Sequence, residues 1–332
     1  MQTPAYKLTL GRKVIDTTAE PQASTAVELL VALDMDTPAD GFTLVLGNVG
    51  TFRPEREDEA AIELGYLADG GLVKVMTGTV ATVQPNLTTT RIVGTSGAAP
   101  LLRTFVEQTF EGKTAGAIVR ALAEDAQVEV ARAEDGIRFP AYVVDGRASA
   151  LRHMLDLAAL CGFDLYQDPD GRLVFERFLA GKRVHLYEYA KHVVELDVLR
   201  TPARAGRVEA WGESPTDRRG EESWGWLTPD FKGSRGEAGE TGALFLLERP
   251  ALRTREAARA AARAAHTTIQ RRRLRGRLVG TGRPAVQLGD AIRLRGVPDD
   301  SLNANFQVRS VTHRITKAAG FTTTVGFRAI DS

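Results

Sequence analysis

The last third of the chain constrains the fold most. An alanine- and arginine-rich stretch from Thr254 to Arg273 has helical character, and it runs into a β segment punctuated by Gly and Pro. That segment closes on Leu302–His313 and then Gly320–Thr324, which read as a tightly specified pair of strands. The ending holds no nucleophile, no carboxylate pair and no metal cluster. It supplies shape and contact surface and no reagent for catalysis.

At 332 residues the chain is long enough for two or three cores, each burying its own apolar surface. No apolar run approaches the roughly 18 residues that a membrane span requires. The first residues, Met1 to Lys7, lack a charged-then-apolar signal pattern, which places synthesis in a cytosol. A single cysteine, Cys161, excludes an internal disulfide and is expected to be buried. Asn86-Leu87-Thr88 resembles a glycosylation sequon but reads as a turn.

The net charge of +1 conceals an asymmetry: residues from 251 onward carry 16 Lys and Arg against 5 Asp and Glu, or +11, leaving −10 on residues 1–250. A basic half of this kind suits either nucleic-acid binding or docking on an acidic module, in the same chain or a neighbouring copy; docking is the preferred reading.

Residues 1–105 read as short strands with Gly punctuation, the pattern of a sandwich or barrel. The acidic stretch 54–59 reads as a solvated loop. At Thr114, an N-cap, the period changes: Ala115, Ile118, Val119, Leu122 and Ala126 recur at helical spacing. A second helix starts near Ser149 and ends at Gly162, placed for a left-handed cap. Residues 163–176 then form a hairpin around Asp168-Pro169-Asp170-Gly171. Strands resume after Val184, and about 212–245 is expected to be a long loop containing Trp224 and Trp226.

The helix at about 254–275 would be about 30 Å long. Ala257, Ala261, Ala264 and Ala265 form a small-residue stripe on it, while Arg255, Arg259 and Arg263 stack at i, i+4 spacing on another face. These three arginines, with Trp224 and Trp226, are the candidate interface residues.

Apparent catalytic motifs dissolve on inspection. Gly112-Lys113-Thr114 lacks the upstream Gly of a phosphate loop, since that place holds Glu107. His153 and Cys161, eight residues apart on one helix, stand about 12 Å apart by helical rise, too far for a thiolate–imidazole pair. Asp168–Gly171 lacks the ligand order of a calcium loop. Five histidines show no metal-ligand spacing, and one such as His313 in a strand is expected to be packed or hydrogen-bonded. No catalytic, cofactor-binding or metal residue is assigned, and no cofactor is expected.

In order along the chain, Leu64-Gly65-Tyr66, Val75–Val80, Phe110–Ala115, Ala158–Phe163 with Gly171–Phe175, Val208–Gly212, Leu288-Gly289-Asp290 and Asn303–Arg314 resemble the late control D family of contractile-tail baseplate hub proteins. That family shares its fold with the N-terminal part of type VI secretion spike proteins. The resemblance implies an α+β, mainly β fold: two tail-tube-like β-barrel domains, at 1–108 and 181–332, with a small α+β module, 109–180, between them. It implies a non-enzymatic homotrimer forming a pseudo-sixfold ring that joins the tail tube to a central spike. The implied partners are the tail tube protein above, a separate spike polypeptide below, baseplate wedge proteins around, and the tape measure protein as a further candidate, with no specific nucleic acid. Such a protein assembles in the bacterial cytoplasm and becomes part of a phage tail or injection particle. An acidic barrel alternating with a basic one would select the correct neighbour, with Arg255, Arg259 and Arg263 in that contact. The rival is a nucleic-acid-binding protein using the arginine-rich C-terminal helix, although those arginines lack interleaved aromatics.

Overall fold

The computed structural model describes residues 3–20, 25–37, 40–47, 54–69, 71–212 and 234–330. Its first part is a run of antiparallel strands: β1 (Pro4–Leu10), β2 (Lys13–Asp16), β3 (Ala26–Asp34), β4 (Gly41–Gly47), β5 (Glu59–Tyr66), β6 (Gly71–Pro85) and β7 (Thr89–Ser96). Alternation makes them strands with one buried face: in β4, Phe42, Leu44 and Leu46 are buried while their neighbours are partly exposed. The β6–β7 hairpin turns at residues 86–88, where Asn86 was read as a turn residue.

The middle of the chain, called the module below, contains β8 (Gln108–Thr114), α1 (Ala115–Asp125), β9 (Val130–Ala133), β10 (Arg138–Val144), α2 (Ala150–Cys161), β11 (Asp164–Gln167) and β12 (Leu173–Glu176). Thr114 caps α1 as expected, its hydroxyl accepting from the Ala117 N–H at 3.2 Å. Helix α2 ends at Gly162 with φ of 68°, the left-handed conformation a residue without Cβ adopts cheaply. The β11–β12 hairpin closes through Asp168, which accepts from the amides of Asp170 and Arg172.

The remainder comprises β13 (Val184–Glu188), β14 (Val193–Arg200), β15 (Arg207–Trp211), β16 (Gly236–Ala238), β17 (Leu244–Glu248), α3 (Arg255–Arg271), β18 (Leu274–Thr281), β19 (Ala291–Arg295), β20 (Asn305–Thr316) and β21 (Gly320–Ala329). One expectation is corrected here. The span 212–245 was read as loop, yet β16 and the start of β17 lie within it and flank β15 in a three-stranded sheet. Gly236 stands where a Cβ would come within 2.1 Å of the Ala258 backbone, so only Gly lets β16 approach α3.

Thirteen strands form one sheet with the order β14-β18-β21-β20-β3-β4-β7-β6-β5-β1-β2, β19 pairing with β20 and β13 with β19. Strand β20 is the hinge of this arrangement. Its residues Ser310–Thr316 pair antiparallel with β3, so the early and late β segments share one hydrogen-bonded surface. The strand order does not return on itself, and the described residues form no closed barrel in that order.

Two cores result. One lies under the large sheet and combines Leu8, Leu29, Leu44 and Ile92 with Leu278, Val311 and Val325. The other combines α1, α2 and the module strands with Val208, Ala210, Leu252 and the alanines of α3. Helix α3 thus buries its small-residue face against the module and the β15–β17 sheet. Within the stripe, Ala257, Ala261 and Ala264 are buried and Ala265 partly so, and Ala258 and Ala262 are buried as well. Burying a Leu or Val side chain contributes about 1.5–3 kcal/mol, so each core is a substantial cohesive unit.

Candidate interaction surface

The sheet and the module are joined by a buried charge cluster. Asp164, the first residue of β11, is almost fully enclosed, and its carboxylate accepts from Arg309, from Arg328 at 3.3 Å and from Gln307. Arg309 also reaches Asp36 at 2.6 Å, and Arg328 donates to Gln307 Oε1 at 2.7 Å. Strand pairing sets this up: Gln307 of β20 lies directly opposite Arg328 of β21. A buried carboxylate survives only with such partners. The cluster is rich in cations for its size, so burial and then repulsion from Arg309 push the Arg328 guanidinium down to about 10.

A second polar knot closes the same junction nearby. Tyr166 donates to Glu176 at 2.6 Å, and Lys182 reaches both the Tyr166 hydroxyl and the Glu176 carboxylate at 2.9 Å. His185 Nε2 lies 2.8 Å from Asp290 Oδ2, whose carboxylate also accepts the Gln287 N–H. These groups are each hydrogen-bonded or ion-paired to a neighbour. Among the described residues, no group of three or more His, Cys, Asp or Glu is placed to hold a metal.

The other titratable groups singled out in the sequence have structural surroundings. Cys161 is partly buried, where full burial was expected; its Sγ accepts from the Ile137 N–H at 3.4 Å, and burial pushes the thiol up to about 11. His153 Nε2 lies 3.1 Å from the Asp145 carbonyl. His313 is enclosed, with Nδ1 3.0 Å from Thr323 Oγ1, and burial pushes its imidazole down to about 4. Lys113 and Thr114 belong to β8 and the α1 cap, with the Asp135 carboxylate 3.1 Å from the Thr114 hydroxyl.

Arg255, Arg259 and Arg263 line the solvent side of α3, all exposed, as their spacing implied. Trp224 and Trp226 lie outside the described residues. Sequence reasoning did not single out the edge strands. Among the described residues, strand β14 pairs only with β18, which leaves one side of its eight-residue backbone without a strand partner there. It exposes Val194 and Leu199 at 67% and 47%, and β2 terminates the opposite end of the sheet with Val14 at 55%. A long edge with exposed apolar side chains is a template for pairing with another chain. Its signal in the sequence was Val193–Leu199 itself, a strand whose apolar residues do not keep to one face. No helix of the described residues is long and apolar enough to cross a membrane.

No protein-family model matches the sequence, and no curated protein does. Solved structures do match over the whole chain. The 43 kDa tail protein of prophage MuSo2 from Shewanella oneidensis superposes with a TM-score of 0.71 at 14% identity, covering 97% of this chain and 98% of that one. A tail protein from Neisseria meningitidis MC58 gives 0.72 at 13% identity, covering 98% and 97%. An E. coli component of the type VI secretion system, described as similar to the T4 bacteriophage tail proteins gp27 and gp5, gives 0.63 at 12% identity, covering 98% of this chain and 77% of that one. The resemblance drawn from ordered sequence segments is matched by these structures at the level of fold. The chain has the fold shared by these phage tail and type VI secretion proteins.

Proposed function

We propose that this chain is a non-enzymatic structural hub of a contractile tail or injection particle. Three copies form a ring, each contributing two tube-like β units, at 1–108 and 181–332, with the module at 109–180 outside. Threefold symmetry of the chain then offers a pseudo-sixfold surface to the tail tube and a threefold one to the spike, with baseplate wedge proteins around it and the tape measure protein as a further candidate partner. The observation that carries this reading is the likeness to two tail proteins along nearly the full length of both chains. The free edges β14 and β2 support it, because a head-to-tail ring needs a different surface at each end of the subunit. Arg255, Arg259 and Arg263, exposed on α3, are candidate contacts of that assembly, with Trp224 and Trp226 as further candidates.

A force-transmitting ring requires interfaces large enough for permanent association, on the order of 2,000 Å² or more. Sedimentation of the purified protein across a concentration series tests this, paired with a DNA titration at several salt concentrations. A hub assembles to a trimer and binds DNA weakly. A persistent monomer that binds DNA tightly, with steep salt dependence, identifies the nucleic-acid reading instead.

A further inference from the structure

Beside α3 the chain forms a cleft of about 1330 Å³ that neither core fills. Its lining includes the apolar Leu155, Leu165, Phe245 and Leu247 among polar and charged residues, contributed by α2, α3, β17 and the sheet. The walls carry both signs of charge, but the two signs are not equally engaged. Three wall carboxylates pair with arginines that do not line the cleft, Glu134 with Arg132 at 3.0 Å, Asp135 with Arg120 at 3.3 Å and Asp156 with Arg152 at 3.7 Å, while Glu256, exposed on α3, is the wall carboxylate without an arginine at ion-pair distance among the described residues. Asp36 and Asp164 are taken by Arg309 and Arg328 at the inner end.

Several wall arginines are less engaged. Among the described residues, Arg177, Arg204, Arg263 and Arg272 line the cleft, are exposed, and have no carboxylate within ion-pair distance. Arg177 and Arg204 instead lie over the rings of Phe163 and Phe245, 5.6 and 4.3 Å from their centroids. A cation over a ring face is held by the ring quadrupole and keeps its N–H groups available to donate. Apolar side chains interspersed with such donors match carboxylates spaced by apolar side chains.

We propose that this cleft is the docking site for an extended acidic segment of a partner protein, with apolar side chains between its carboxylates. A second copy of this chain is a poorer occupant. Its acidic run at 54–59 is tied into a turn, the Glu55 N–H bonded to Asp58 and both Glu57 and Asp58 bonded to the Val80 backbone, so it cannot be laid into a groove. Arg263 is also a candidate ring contact, and the self-association arm of the test below separates the two roles.

The test is fluorescence anisotropy of the full chain with a labelled peptide repeating Glu-Glu-Leu-Ala, about twelve residues and roughly 40 Å when extended. The peptide is expected to bind, and the double variant Arg263→Glu, Arg272→Glu to weaken it about tenfold or more. The matched variant Arg91→Glu, Arg103→Glu, which changes exposed arginines outside the cleft, is expected to alter it by no more than about twofold. The milder pair Arg263→Gln, Arg272→Gln answers the question if charge reversal disturbs folding, which circular dichroism reads. Absence of peptide binding overturns the proposal, as does equal weakening by both reversed pairs. Equal affinity for a single-stranded oligonucleotide overturns it in favour of a nucleic-acid groove. Self-association lost in the Arg263/Arg272 variant overturns it in favour of a second copy.

Discussion

Arg309 of β20 and Asp164 of β11 form a buried ion pair between residues 145 positions apart, fastening the large sheet to the module. Their side chains are 12% and 7% exposed. Asp164 also serves Arg328 and Gln307, so removing it leaves Arg309 with Asp36 as its ion-pair partner, Arg328 with the Gln307 amide oxygen, and the Gln307 amide N–H without its carboxylate, in a dry setting. Asp164→Ala is expected to destabilise the chain by about 3–5 kcal/mol, read as a fall in the urea midpoint. Replacing Asp164 and Arg309 together by Leu and Met is expected to cost less than the single change. An equal or larger cost for the double variant would show that the pair is not coupled.

The buried His313 makes stability depend on acid. Its folded value of about 4 lies below the ordinary 6.5, so between those values the unfolded chain binds more protons. The contribution of the neutral ring is complete above about pH 6.5 and is lost as pH falls toward 4, up to about 3 kcal/mol. His313→Gln is expected to flatten that part of the profile in urea melts run from pH 7 to pH 4. An unchanged slope in the variant would assign the acid sensitivity elsewhere.

Asp40 acts with the opposite sign. Burial pushes its carboxyl up to about 6 from 3.8, opposed by the Asp34 N–H that donates to it at 2.7 Å and reinforced by repulsion from the Asp34 carboxylate. The folded chain holds this proton longer than the unfolded one, so stability declines as pH rises through that window. Asp40→Asn keeps the acceptor and removes the charge. It is expected to raise stability at pH 8 by up to about 3 kcal/mol and to change little at pH 3.5. A gain of the same size at both pH values would point to a packing effect.

Local signals explain which parts were legible in the sequence. Thr114, Ser149 and Gly162 marked the ends of α1 and α2 because capping is decided within one turn of chain. The β11–β12 turn and the exposed arginine row of α3 were legible for the same reason. Pairing of β20 with β3 was not, since it joins residues such as Ser310 and Asp34 that no local period connects. That pairing brings Arg309 to Asp36, so the charge cluster was hidden with it. Strands β16 and β17 were missed because Gly and charged residues dominate their surroundings, while β15 and α3 supply their packing.

Gly236 gives a direct test of how α3 is seated. A Cβ there would overlap the Ala258 backbone, which cannot yield without moving the helix. Gly236→Ala is expected to cost about 2 kcal/mol or more and to raise amide exchange along α3. Gly71→Ala, where a Cβ meets nothing within 4 Å, serves as the comparison. Equal effects of the two changes would mean that the close approach is not what fixes the helix.

The sheet edge leads to the assembly. Val194→Lys in β14 places a charge on the unpaired edge without touching either core, since Val194 is 67% exposed. The expected outcome is a folded chain with weakened self-association in sedimentation. Unchanged association would move the subunit contact away from β14.

The most direct measurement of the central claim is class averaging of the purified protein by electron microscopy at high concentration. The hub account predicts rings with an open centre, three copies each, and a pseudo-sixfold outline on the tube-facing side. Compact single-copy particles under those conditions, with no ring even when the tail tube and spike proteins are co-expressed, would contradict it.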